Sequence, residues 1–227
     1  MWRQRLELPS VTSIKQRASH RASARASARA IKRTLSIQSG PQFFAIEFTL
    51  LKGEFHNFMS RVYYFRRHYD KAITEAEKAV DLVPNSSRYL IGLADVLNHA
   101  ARPEEAIVYA KRAMRLEPYY PAWYEGDVLA VSYSQAGRYE EALEANKKLL
   151  ERALKGEYRI GKAHRRLAGI YARLDRMEEA RTHRVESLKI NPNFSVERWR
   201  RTARSIFKNQ EWIDSSAEIL IKAGFPD

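Results

Sequence analysis

The sequence predicts an all-α fold: an α-α superhelix of about four helix-turn-helix repeats, followed by C-terminal capping helices. Three observations carry this reading. A short pattern, RHYDKA (67–72), ARPEEA (101–106), GRYEEA (137–142) and DRMEEA (175–180), returns about every 34 residues, a period at which stacked helix pairs repeat. Small residues recur at two fixed places in each unit, Ser60, Ala94, Ala130 and Ala168 in the first helix and Ala72, Ala106, Ala142 and Ala180 in the second. They let two antiparallel helices approach closely while larger apolar residues fill the space between units. Pro84, Pro118 and Pro192 each stand where a second helix must end, since proline cannot continue it.

Residues 1–40 differ in composition from the rest. Of the net charge of +13 over 227 residues, +8 falls there, from nine Lys or Arg against the single acid Glu7. Arg17, Arg21, Arg25 and Arg29 recur every fourth residue with only Ala, Ser and His between them, so no apolar face is available to pack on a core. The composition fits a disordered basic leader or a wrongly chosen start. Three functional readings stay open beside it: a phosphate-binding arm, a segment lying on anionic lipid, and an Arg- and Ser-rich transit peptide.

Residues 41–52, with FFAIEFTLLK at 43–52, are apolar enough for an N-terminal helix covering the first repeat. The repeats then occupy 53–194, with units starting near Gly53, Ser87, Trp123 and Gly161. Large apolar residues at recurring positions (Met59, Leu93, Leu129, Leu167 and Tyr63, Leu97, Tyr133, Tyr171) are candidate core. The spacing lengthens in the third unit, where Leu154 replaces the terminal proline. This predicts a second helix extended through Leu154 and a longer linker around Lys155 to Tyr158. The aromatic cluster Tyr119, Tyr120, Trp123 and Tyr124 is expected to fill the gap left by inserted residues, with stacking on a base or gripping a peptide as the functional alternative. Over 195–227, Ser195 is placed to cap a helix starting at Val196 and anchored by Trp199. A last helix runs from about Gln210 to Ala223 and stops at Gly224.

On these four units in one register the chain resembles tetratricopeptide repeat proteins over 53–192. A narrower likeness, in YYPAWY (119–124), GRYEEAL (137–143), NPNFSVERWRR (191–201) and IKAGFPD (221–227), is to the C-terminal repeat region of bacterial class III adenylate/guanylate cyclases. This chain has no room for the cyclase domain. What the second likeness implies is therefore a regulatory or docking role in cyclic-nucleotide signalling. The repeat resemblance implies a concave groove lined by first helices. At the lining positions stand Asn57, Arg61 and Tyr64 in the first unit, Ile91, Asp95, Asn98 and His99 in the second, Tyr124, Asp127, Val131 and Gln135 in the third, and Lys162, Arg165 and Arg173 in the fourth. Such a groove is mixed in the middle and basic at its C-terminal end, which suits an extended protein segment with acidic residues. A carboxylate clamp known in chaperone-binding members is matched only at Lys162 and Arg166, with Ile91, Asp95 and Val128 at its other places.

Catalytic signals are weak. Glu104/Glu105, Glu140/Glu141 and Glu178/Glu179 fall in the first turn of each second helix, where negative charge favours the helix dipole by about 0.3–1 kcal/mol. The six histidines lack ligand spacing, there is no cysteine, and no phosphate-cradling or nucleophile-elbow motif occurs. No apolar stretch reaches the length of a spanning helix. The expectation is a cytoplasmic, non-enzymatic scaffold without cofactor or metal, docking a protein or peptide. Nucleic-acid binding through the arginine leader and the basic fourth unit is the alternative.

Overall fold

The computed structural model describes residues 41–227, with side chains from Ala45 onward; the leader expected over 1–40 lies outside the described residues. Two compact units divide between Phe48 and Thr49. Among the described residues there are ten α-helices, one π-helical segment and no strand. In chain order they are α1 (Pro41–Phe65), α2 (Tyr69–Leu82), α3 (Ser87–His99), α4 (Pro103–Leu116), the π-helical segment Tyr124–Leu129 continuing into α5 (Ala130–Gln135), α6 (Tyr139–Leu154), α7 (Ile160–Arg173), α8 (Met177–Ile190), α9 (Val196–Ile206) and α10 (Gln210–Lys222). The residues expected to form a separate helix at 41–52 are instead the N-terminal turns of α1, continuous with the first repeat helix. Nothing in FFAIEFTLLKGEF supplies a break, because Gly53 alone is too mild a helix breaker.

The second unit, Thr49–Asp227, is the stack of repeats. Its helix pairs approach through the small residues named above: Ala72, Ala106, Ala142 and Ala180 are fully buried, and Ser60, Ala94, Ala130 and Ala168 are at most 1% exposed. Leu90, Leu93, Val96, Leu97, Leu143 and Leu167 fill the layers between them.

Each turn within a unit is built the same way. Arg67, Ala101, Gly137 and Asp175 take positive φ, from 58° to 73°. The next residue's N–H (His68, Arg102, Arg138, Arg176) then donates to the carbonyl of Tyr63, Leu97, Tyr133 or Tyr171, each at 2.9 Å. This left-handed cap satisfies carbonyls that the helix end leaves over. Second helices stop just before Pro84, Pro118 and Pro192, α6 runs through Leu154, and Ser195 caps α9 by accepting from the Arg198 N–H.

The insertion before the third unit is absorbed by the π-helical segment. Gly126 there faces Leu149, and a Cβ on it would lie 2.6 Å from a Leu149 methyl. Of the aromatic cluster, Tyr124 joins the core at 4% exposed, but Tyr119 is 96% exposed and Trp123 40%. The expectation that all four fill the gap therefore holds only for its inner members. The wider helical turn takes up part of the insertion, and the outer rings stand in solvent.

Candidate binding cavity on the inner face

The first helices α3, α5 and α7 line the inner face, and the C-terminal pair α9–α10 lies across it. α10 packs on α7, and the bend between α9 and α10 reaches back to the earliest units. There the Lys208 N–H donates to the His99 carbonyl at 2.8 Å, Arg67 donates to the Arg204 carbonyl at 2.6 Å, and the Tyr69 hydroxyl donates to the Ile206 carbonyl at 3.2 Å. His99 is held between two rings, Tyr64 at 4.4 Å and Phe207 at 4.3 Å, both stacked. The Trp212 indole N–H points at the Ser134 hydroxyl, 3.4 Å away.

Between α7 and this pair lies a cavity of about 430 Å³, within the range of small-ligand and side-chain sites. Its apolar wall includes Val131, Ile170, Trp199, Phe207, Trp212 and Leu220, and its polar wall Asp95, Asp127, Lys162, Arg165, Arg166 and Arg173.

Asp127 is the hub of the polar wall. One of its oxygens accepts from Lys162 Nζ at 2.5 Å, Arg166 Nη2 at 2.7 Å and the Tyr158 hydroxyl at 2.6 Å. The π-helical backbone adds to this, since the Gly126 carbonyl accepts from Arg166 and the Val128 carbonyl from Asn98 Nδ2 at 3.0 Å. Burial alone would raise the Asp127 carboxyl, but the Arg166 and Lys162 charges outweigh it and hold it below the usual carboxylate value. Lys162 goes the other way. Burial first, then the like charge of Arg166, brings its ammonium down to about 8, despite the attraction of Asp127. Asp95 is raised by burial, and His99 Nδ1 stands 3.6 Å from its oxygen.

Arg165 differs from its neighbours. Its guanidinium lies over the Phe194 ring at 4.6 Å and forms no ion pair among the described residues. Burial and the adjacent Arg166 lower its pKa to about 10. Arg173 is engaged, donating to Ser215 at 3.1 Å and Ser216 at 3.0 Å on α10 and stacking over Tyr139.

The sequence-derived groove residues thus part three ways, with His99 among those at the cavity. Asp95, Asp127, Val131, Lys162, Arg165 and Arg173 are brought together around the cavity. Asn57, Tyr64, Ile91, Asn98 and Tyr124 are buried in the packing between helices, Asn57 with its amide oxygen against Gly92. Arg61 is exposed on α1, and Gln135 donates to the Asn98 carbonyl at 3.2 Å. Sequence reasoning gives Trp199 only the role of anchoring α9 and does not single out Phe207 or Trp212, although all three line the cavity. The aromatic pair flanking Asn209, whose side chain caps α10 by accepting from the Trp212 N–H, was the available signal. It marks a tight bend with rings on both sides.

The profile of the tetratricopeptide repeat family matches residues 59–121 and 128–183, together more than half of the chain. No curated protein matches in sequence. Among solved structures, pilF of Pseudomonas aeruginosa superposes with a TM-score of 0.56 at 17% identity, covering 78% of each chain. MamA of Desulfovibrio magneticus, from residue 41 to its end, gives 0.56 at 13% identity, over 76% of this chain and 93% of that one. YrrB, described as a repeat protein with an unusual peptide-binding site, gives 0.54 at 13% identity, over 82% and 93%. At these identities the likeness is one of fold.

Proposed function

The chain belongs to the tetratricopeptide repeat family, and on that premise we propose that it is a non-catalytic, cytoplasmic docking protein whose inner face receives an acidic segment of a partner protein. The observation that carries this reading is Arg165, a cation held in a cavity wall with an aromatic ring beneath it and no ion pair among the described residues. A buried charge without a counter-charge is costly, and a carboxylate entering the cavity supplies the missing one. The wall is already ordered by Asp127, Arg173 and the α9–α10 pair, so a ligand fixes few further rotamers. YrrB's described peptide-binding site supports a peptide as the ligand class. The wording shared with cyclase-associated repeats makes a cyclic-nucleotide signalling assembly the setting in which to seek the partner. Nucleic acid is the weaker reading for this surface, because Lys162, Arg166 and Arg173 are engaged inside the fold.

The test uses Arg165→Glu in the full chain, leaving Arg173 intact because it holds α10. A partner captured by the wild-type chain is titrated against both proteins at low and high salt. Affinity reduced roughly 10-fold or more, with unchanged helical circular dichroism and melting, supports the reading. Unchanged affinity moves the docking surface off the inner face, and retention of nucleic acid in place of protein overturns the reading.

A further inference from the structure

His164 on α7 and His183 on α8 have no ligand spacing along the chain, but the antiparallel pairing of the two helices sets them face to face, with their Nδ1 atoms 2.8 Å apart. Both side chains are partly exposed, and neither lines the inner cavity. The equivalent place in the first unit is filled differently. His56, like His164, stands three residues after the glycine that opens its unit, and the same step of 19 residues leads from it to Glu75, 2.6 Å away. There a ring nitrogen meets a carboxylate, whose other oxygen is held by Lys78 at 2.7 Å. In the fourth unit both members are imidazoles. A nitrogen facing a nitrogen makes a hydrogen bond only if one carries the proton and the other presents a bare lone pair. Burial lowers the pKa of both rings, and the facing His164 lowers His183 further, against the attraction of Glu179 and Glu186. Both are therefore neutral at neutral pH, the form in which imidazole binds a metal. His183 also stacks on Tyr171, centroids 5.4 Å and planes 5° apart, which holds that ring in place.

We propose that His164 and His183 form the protein half of a binding site for a divalent transition-metal ion, Cu²⁺ or Ni²⁺, held between α7 and α8. Two nitrogens each about 2.0 Å from one ion lie about 2.8 Å apart when their bonds meet at a right angle, and about 3.3 Å apart at a tetrahedral angle. The separation of 2.8 Å matches the right angle, which is the arrangement of tetragonal Cu²⁺ and Ni²⁺ and not of four-coordinate Zn²⁺. Binding turns the two rings so that both lone pairs converge on the ion. The proton on one Nδ1 moves to Nε2 of the same ring through solvent, so both ligands stay neutral. No third His, Asp or Glu among the described residues completes a ligand set, and water takes the remaining positions. Glu179 and Glu186 stay outside the set because Arg176 and Lys189 engage their carboxylates.

Isothermal titration of the untagged, metal-free full chain with Ni²⁺ and with Cu²⁺ is the test. The expected result is one ion bound at this site with a micromolar Kd. His164→Gln and His183→Gln should each weaken it roughly 10-fold or more, with helical circular dichroism unchanged. His56→Gln, at the equivalent place in the first unit, should leave it as it is. Because the ion ties α7 to α8, excess Ni²⁺ should raise the melting temperature of the wild-type chain and of neither variant at the paired histidines. The Cu²⁺ complex should give a tetragonal electron paramagnetic resonance spectrum with two equatorial imidazoles, a readout that does not depend on any variant folding. Binding only at millimolar ion, a site that survives both substitutions, Zn²⁺ held more tightly than Ni²⁺, or a spectrum with a single imidazole each overturns the inference.

Discussion

His99 and Phe207 lie face to face across the inner side of the stack, ring centroids 4.3 Å apart and planes 18° apart. His99 ends a helix of the second unit, and Phe207 ends α9. The stack, the Lys208–His99 hydrogen bond and the indole of Trp212 together hold the α9–α10 bend in place. Replacing Phe207 by Ala removes the ring contact and opens the cavity. The expected loss is about 1–3 kcal/mol, below the cost for a fully buried phenylalanine because Phe207 is only partly buried. Hydrogen exchange should show α9 and α10 losing protection before α3 does, and urea melts should give the total.

Asp127 gathers Lys162, Arg166 and Tyr158 on one carboxylate oxygen. In Asp127→Asn the shape is kept and the counter-charge is lost, leaving two cations half-buried beside each other. We expect a stability loss of about 1–3 kcal/mol, discounted from the cost of breaking a fully buried pair because Asp127 remains about a third exposed. The same variant should bind short polyanionic peptides more tightly than wild type, since the wall gains net positive charge. Isothermal titration beside chemical denaturation checks both signs.

Lys162 gives a test by pH. Its folded value, near 8, lies below the ordinary lysine value of 10.5, so between those limits the unfolded chain binds more protons than the folded one. Stability from this group therefore rises with pH across that window, and the burial cost of the charged form is in full force below it. Asp127 acts at the other end: its lowered carboxyl contributes stability above the usual carboxylate range, which is lost as pH falls through the folded value. The stability of wild type relative to Lys162→Met should increase from about pH 8 to about pH 10.5, measured as the difference between their urea midpoints. A flat difference over that range would sink this assignment.

The intra-unit turns offer a gain in stability. Gly137 meets its positive φ without strain, whereas Ala101 holds φ of 64° with a Cβ. Ala101→Gly should raise stability by roughly 0.5–1 kcal/mol, the left-handed penalty exceeding the added freedom of the unfolded chain. Thermal melts decide the sign.

Much of this architecture is legible in the residues. Pro103 opens a helix at its first turn, Pro84, Pro118 and Pro192 follow helix ends, and the alanine positions fix which faces meet. These are local signals, set by backbone chemistry that acts within a few residues. The course of α9 and α10 is not local. Trp199, Phe207 and Trp212 have the same spacing whether their helices stand beyond the last unit or fold inward, and what decides is contact with His99 and Ser134, far away in sequence. Tyr124 shows another limit. Assigning it to the inner surface assumes a regular helical turn, and the π-helical segment beginning at that residue breaks the assumption. The basic wall was visible as Lys162, Arg165 and Arg173, but that Arg165, unlike the other two, makes no ion pair or hydrogen bond among the described residues emerges only from the geometry.

The bonds from Arg67 to the Arg204 carbonyl and from Lys208 to the His99 carbonyl change how the molecule should come apart. An open repeat array frays from its ends, because each unit leans only on its neighbours. Here the segment after the last unit grips the first two, so neither end is free to peel alone. Loss of α9–α10 should therefore loosen α2 and α3 along with α7, and the stack should melt as one cooperative body.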